Sequence, residues 1–315
     1  MFRNRIRWVL AFAVFSCIAN GQFYSPAENS ASCVAQAYVP NLFPLFQTDA
    51  AFPESAYSKF DDTGAYITLV RTLVAVGLDG KVAAAEAMAG PEFLRETASS
   101  TVRHYKYPPV IRNGQAVCAL TSATITFRTP GRLIGGEDSA SELAAMKRLS
   151  TLQQQFPRTP QQAFEDTRQS REVRGSLLRT WALPTLAKAA LAADELEKAG
   201  AYAQEGLDIP GGAGGECIFD CNLVLGQVAL RHGDIPAAAR YLIASGKSSG
   251  SPVLSSFGPG MALAKELLDK GERDSVLEFF ALCKAFWKDH AKELDEWADT
   301  VRKGGMPRFG ANLAY

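Results

Sequence analysis

The sequence predicts an α+β chain, in which a small sheet crossed by one helix is followed by an all-α domain of helical repeats. Three observations carry that prediction. Between Ile67 and Phe127, apolar and β-branched runs of strand type flank one segment of helical period. Beyond about residue 139 the composition turns to Ala, Leu, Glu, Lys and Gln, which favour helix. Three segments in that second half, beginning at Leu186, Leu225 and Leu263, also superimpose on one another.

Ile67 to Val76 is almost wholly apolar or β-branched and suits a strand. Asp79-Gly80 is the pair a tight hairpin turn wants, so Val82 to Ala89 reads as the returning strand. Pro91 and Glu92 open a helix, and Phe93, Leu94, Thr97, Ala98, Thr101, Val102 and Tyr105 recur at three and four to give it one apolar face. Pro108-Pro109 ends it and Asn113-Gly114 turns the chain. Val117, Ala119, Thr121, Ala123, Ile125 and Phe127 then alternate with their neighbours as the last strand, 117–127.

These residues carry a resemblance. Pro53-Glu54-Ser55-Ala56, Gly64, Asp79-Gly80-Lys81-Val82, Gly90, Phe93-Leu94, Val102-Arg103, Tyr105 to Pro109, Asn113-Gly114 and Thr124 to Phe127 fall in the order and spacing of the C-terminal domain of TonB-family energy transducers, over about residues 51–130. Tyr105 stands where the family usually has Trp, and Glu96-Thr97 replace part of its Asp-Ala-Ala helix. The resemblance implies that the last strand, if it lies at a sheet edge, engages an extended segment of an outer-membrane receptor or another envelope protein. Val117, Ala119, Thr121, Thr124, Ile125 and Phe127 are its expected partner-binding residues. The N-terminal extension and the helical domain are the alternative occupants of that edge.

At 315 residues the chain is long enough for two domains, and 47% hydrophobic with 21% charged residues is ordinary for a globular protein. Lys plus Arg equals Asp plus Glu, 33 each, so nothing points to nucleic acid. Arg3, Arg5 and Arg7 precede the apolar run Trp8 to Ala19, which is short for a membrane span and suits a signal peptide over residues 1–21. A periplasmic or secreted location follows. The alternatives are an inner-membrane anchor at residues 8–19, which alone would bring membrane contact, and lipid attachment at Cys17. Residues 22–50, rich in Ser, Ala, Asn and Pro, read as an extension packed on the small domain. After export, five cysteines would remain, and Cys33 with Cys118 is the expected disulfide, tying the extension to the last strand.

Residues 131–139 read as a linker and 140–303 as the helical domain. Ser139 to Phe156 and Gln161 to Trp181 are its first two helices. In the three repeated segments, Asp194, Gly233 and Gly271 fall at the middle turn. Ala199, Ala238 and Val276 follow, then Tyr202, Tyr241 and Phe279. The anchors Ala187, Gly226 and Ala264 lie 39 and 38 residues apart, against about 34 for a tetratricopeptide repeat. The segments resemble tetratricopeptide units with lengthened connections, and such arrays often hold peptides in a groove. Residues 304–315, ending FGANLAY, form a tail to which the pattern assigns no role.

The motifs suggesting chemistry are weak. Gly246-Lys247-Ser248-Ser249-Gly250 fits G-x-S-x-G, but between helical repeats it lacks the strand a nucleophile elbow needs. Gly211 to Gly215 lacks the Lys-Ser/Thr of a phosphate loop. Cys217 and Cys221, four apart at a helix start, with Cys283 or His232 nearby, are the candidate metal ligands, and a disulfide or plain thiols are the expected alternative. His104, His232 and His290 show no triad or ligand spacing, and Asp61-Asp62 and Glu293, Asp295 and Glu296 lie in solvated stretches. No catalytic site, metal or cofactor is expected. The expectation is an exported envelope protein acting through protein–protein binding, by its edge strand, its helical groove or both. The alternatives are a TonB-type transducer, against which stands the absence of a long Pro-rich spacer, and a hydrolase using Ser248.

Overall fold

The computed structural model describes residues 22–23, 33–40, 42–136, 138–171, 176–209 and 214–313. The chain divides into two compact units, residues 1–173 and 174–315. The first is a mixed α+β unit and the second is helical.

In the first unit, β1 (Gln22–Phe23) and β2 (Cys33–Val34) pair antiparallel as a two-stranded ribbon. A four-stranded sheet follows, built from β3 (Ala37–Tyr38), β4 (Tyr66–Val76), β5 (Val82–Ala89) and a final long strand that starts at Ala119. The β4–β5 turn is closed by Gly77 N–H donating to the Lys81 carbonyl at 2.9 Å and by Asp79 Oδ1 accepting from the Lys81 N–H at 3.0 Å. Gly80 is obligatory there: its φ is +79°, and a Cβ would lie 2.1 Å from the Tyr107 carbonyl oxygen. Helix α1 (Glu92–Arg103) then buries Leu94, Ala98 and Val102, the i, i+4, i+8 stripe of its sequence.

The strand expected over 117–127 divides at Cys118. Val117 belongs to β7 (Gln115–Val117), which forms a small hairpin with β6 (Val110–Arg112) across Asn113-Gly114, both with positive φ. β8 runs on from Ala119 to Thr129 and pairs with β4 in one unbroken antiparallel register, from Ala119 opposite Val76 to Thr129 opposite Tyr66. The sheet order is β3-β8-β4-β5, with β3 parallel to β8.

Each face of this sheet has its own cover. Val70, Val74, Val76, Ile125 and Phe127 point to the α1 side and form one core with Leu94, Ala98 and Val102. On the other side, Leu73, Ala75, Cys118, Leu120 and Tyr38 pack with Leu149 and Leu152 of α2 (Ser139–Gln155) and with its C-cap Phe156. Asp138 caps α2 by accepting from the Ser141 N–H at 3.0 Å, and the pairs Arg71–Glu142 and Arg148–Glu86 tie the helix to the sheet. Helix α3 (Pro160–Arg171) is held to β6 by Asp166, which is 3% exposed and accepts from Arg112 and Arg158. The helices expected over Ser139 to Phe156 and Gln161 to Trp181 were to open the helical domain. The first, as α2, falls in the first unit because its apolar face and ion pairs are spent on the sheet. The second is represented by α3 in the first unit and, from Ser176, by α4 (Ser176–Ala192) in the second.

The second unit contains α4 (Ser176–Ala192), α5 (Leu196–Leu207), α6 (Gly215–Arg231), α7 (Ile235–Gly246), α8 (Pro252–Phe257), α9 (Ala262–Asp269), α10 (Arg273–Cys283) and α11 (Ala291–Arg302). Helix α4 runs through Pro184 rather than beginning after it. The turns α4–α5, α6–α7 and α9–α10 each place one residue at positive φ, namely Asp194 (59°), Gly233 (79°) and Gly271 (91°). They are the three residues that align in the sequence. Ala199, Ala238, Val276, Ala187 and Ala264 are fully buried, so each pair of helices approaches closely. Residues 304–313 of the tail are folded against the unit. Phe309 packs edge-on against Trp297, and Asn312 donates to the carbonyls of Phe257 and Pro259 at 3.2 and 3.1 Å.

Candidate functional site

The outer edge of β8 is covered over its first half only. Gln36 N–H donates to the Cys118 carbonyl and Val39 N–H to the Leu120 carbonyl, each at 2.8 Å. The backbone groups of even-numbered residues of β8 therefore point away from β4, and with an unbroken register Ser122, Thr124 and Thr126 point the same way. Pro40, without an N–H, stops the parallel ladder immediately after Val39. Leu42 N–H then bonds the Thr121 hydroxyl at 3.1 Å instead of a backbone oxygen, and the chain leaves the edge. Among the described residues, no backbone partner is seated on Ser122, Thr124 or Thr126.

A hollow of about 380 Å³ lies against this open half. Its walls are Leu42, Phe43, Pro44 and 47–50 of the N-terminal extension, Tyr105, Tyr107, β8 from Ser122 to Thr126, and Arg171. The Arg171 guanidinium stacks over the Phe43 ring at 4.2 Å, fixing one rim. The Tyr105 hydroxyl donates to the Thr48 carbonyl at 3.2 Å, joining the extension to the end of α1. Burial, and then the Asp49 carboxylate, push the Tyr105 phenol up. Tyr107 is fully buried, and among the described residues its hydroxyl has no hydrogen-bond partner; burial holds that phenol well above its ordinary range. The hollow thus combines walls of mixed polar and apolar side chains with a row of backbone donors and acceptors. Such a surface suits an extended peptide with a side chain directed inward.

The residues expected at this site separate by parity. Ala119, Thr121, Ile125 and Phe127 are buried, their side chains turned toward α1 and their backbone groups toward β4. Val117 lies in the β6–β7 hairpin. Thr124 alone of the six has both an exposed side chain and backbone groups at the open edge. Ser122 and Thr126 share that edge, and the period of two starting from Thr124 was the signal that would have found them. Cys118 is disulfide-bonded, while the side chain of Cys33, its expected partner, lies outside the described residues.

The remaining candidates are scattered. Ser248 is 5% exposed, and its hydroxyl donates to the Gly215 carbonyl at 2.6 Å and accepts from the Gly250 N–H at 3.0 Å, with no imidazole in reach among the described residues. Gly211 and Gly212 lie outside the described residues, and Gly214 and Gly215 begin α6. His104 and His232 cap α1 and α6, and His290 stacks on Trp287 at 4.6 Å. Asp61 accepts from Thr63 and from the Arg132 N–H, while Asp295 pairs with Lys284. Among the described residues no group of three His, Cys, Asp or Glu is placed to hold a metal, and no helix is long and apolar enough to cross a membrane. The expected signal peptide and anchor fall outside the described residues. No family model matches this sequence, and neither a curated protein nor a solved structure shows significant similarity to it.

Proposed function

We propose that this protein works by protein–protein recognition, taking an extended segment of a partner as an added strand along Ser122–Thr126 of β8. The observation that carries this reading is the half-covered edge: Pro40 ends the chain's own pairing, and the next three outward backbone positions border a hollow. The added segment would occupy the place β3 leaves, and every second side chain would enter the hollow beside Tyr105 and Ile125.

The resemblance of residues 51–130 to the TonB C-terminal domain supports a receptor or another envelope protein as the source of that segment. The signal-like N-terminus supports export, and the absence of a Pro-rich spacer favours recognition over energy transduction. The helical unit reads as tetratricopeptide-like, supported by its three hairpins with positive-φ turns in register. A second binding reading rests on a hollow of about 340 Å³ in that unit, bordered by the exposed apolar side chains of Val253, Phe257 and Leu313.

A photoreactive residue placed at Thr124 or Thr126 in the full chain, in intact cells, tests the main reading. Crosslinking to an envelope protein is the expected result. Labelling confined to the chain itself, at both positions, would overturn it.

A further inference from the structure

Cys217 lies in the first turn of α6 and is partly exposed, while Cys221, one turn further on, is fully buried. Their sulfurs are 3.6 Å apart. Room for the pair comes from α5: Gly206 faces them, and a Cβ there would stand 2.7 Å from the Cys221 sulfur and 3.2 Å from that of Cys217. The Gly206 carbonyl also accepts from the Cys217 thiol at 3.5 Å.

Helix geometry separates the α-carbons of residues i and i+4 by about 6.2 Å, inside the span of about 4.4–6.8 Å over which disulfides form. The β-carbons at i and i+4 stand about 5–6 Å apart in a helix, against about 3.5–4.5 Å in a disulfide, so closing the bond opens the first turn of α6, in which Cys217 is the third residue. The two thiols also differ in the way an exchange reaction requires. Cys217 sits where unpaired N–H groups and the helix dipole favour a thiolate, and the hydrogen bond from Cys221 holds its thiol below the ordinary range. That same hydrogen bond, and then burial, push the Cys221 thiol up. Asp220 and Glu216 oppose ionisation of Cys217, and Lys188 favours that of Cys221.

We propose that Cys217 and Cys221 form a thiol–disulfide exchange site for small disulfides of the glutathione class, with Cys217 as the attacking and Cys221 as the resolving thiol. The Cys217 thiolate bonds to one sulfur of the small disulfide, whose S–S bond breaks and releases one thiolate. Cys221, deprotonated, then attacks the Cys217 sulfur and expels the second small thiolate. The protein dithiol is oxidised to an intrahelical disulfide, the small disulfide is reduced to two thiols, and the two cysteine protons end on those thiols. Among the described residues no third His, Cys, Asp or Glu joins the pair in a metal-holding group, which separates it from a zinc site.

The test equilibrates the full chain with glutathione and glutathione disulfide over a series of ratios, then blocks thiols and maps peptides by mass. The peptide holding both cysteines is expected to lose two hydrogens and to lose its alkylation as the disulfide fraction rises. In Cys221→Ser a glutathione adduct is expected to accumulate on Cys217, and in Cys217→Ser none on Cys221. Both thiols remaining alkylable at every ratio would overturn the proposal, as would an adduct on Cys221 in Cys217→Ser. Cys283, fully buried in the helical core, reports the fold: its labelling marks an opened variant, and the wild-type mass change then decides alone.

Discussion

Val39 donates its backbone N–H to the Leu120 carbonyl at 2.8 Å, and among the described residues this is the last rung the chain itself lays on the outer edge of β8. The geometry beyond it separates recognition from folding. Thr124 directs its N–H to the open edge, whereas Ile125 directs its own to β4 and is 2% exposed. Thr124→Pro is expected to cost about 1 kcal/mol and to abolish partner crosslinking from Thr126. Ile125→Pro, losing a ladder bond and a core side chain, is expected to cost about 3 kcal/mol or more. Urea denaturation of both variants checks the contrast.

Asp166 accepts Nη1 and Nη2 of Arg112 at 2.7 and 2.9 Å and Nη1 of Arg158 at 3.1 Å. With Arg112 only 11% exposed, Asp166→Ala leaves its charge poorly compensated. A loss of about 3–5 kcal/mol in unfolding free energy is expected, because the surviving partner cannot regain full hydration. The thermal transition of the first unit reports it.

The C-terminal segment is expected to matter for the helical unit although it has no repeat signature. Asn312 satisfies the carbonyls of Phe257 and Pro259, and its own carbonyl accepts from the Met261 N–H at 2.8 Å. Asn312→Ala removes both bonds, one of them to the buried Pro259 carbonyl, and should lower stability by about 1–3 kcal/mol. Unchanged hydrogen exchange around α8 and α9 in that variant would contradict the assignment.

Asp220, 8% exposed on α6, pairs with Lys188 at 2.7 Å, yet burial outweighs the lysine and raises its carboxyl above the ordinary value of 3.8. The folded state therefore holds this proton more tightly than the unfolded state. The stability it contributes is present below pH 3.8 and is lost as pH rises through the folded value. Relative to Asp220→Asn, the wild type should lose unfolding free energy as pH climbs from 3.8, then level off. Paired denaturation curves at stepped pH give the difference. They cancel the opposite trend of Asp79 and Glu205, whose hydrogen bonds from Lys81 and Arg179 hold their carboxyls down.

Cys118 is disulfide-bonded at the start of β8, beside the rung from Gln36. Peptide mapping without reductant is expected to link it to Cys33, and Cys118→Ala should cost about 2–5 kcal/mol. A link to Cys17 instead would require the first residues to remain on the mature chain.

Much of the architecture was legible because it rests on local signals. The Asp79-Gly80 turn, the apolar stripe of α1 and the alternation along β8 each encode their element within a few residues. The repeat was legible for the same reason, since Asp194, Gly233 and Gly271 mark its turns by conformation. The break at Cys118 was not, because Val117 continues the alternation by residue type while its backbone pairs with Val110.

By itself, then, the amino-acid sequence determined the kind and order of the elements, through periodicity, turn residues and helix formers whose effects reach only a few positions along the chain. Tertiary structure decided what those elements are available to do. Only packing assigns α2 to the sheet and α3 to the β6–β7 hairpin, and only the departure of residues 42–50 from β8 leaves Ser122, Thr124 and Thr126 open beside a hollow. Only the approach of Gly206 brings room to the pair Cys217 and Cys221. These are relations between segments far apart in the chain, and no local pattern records them because each depends on which surface another segment has already covered.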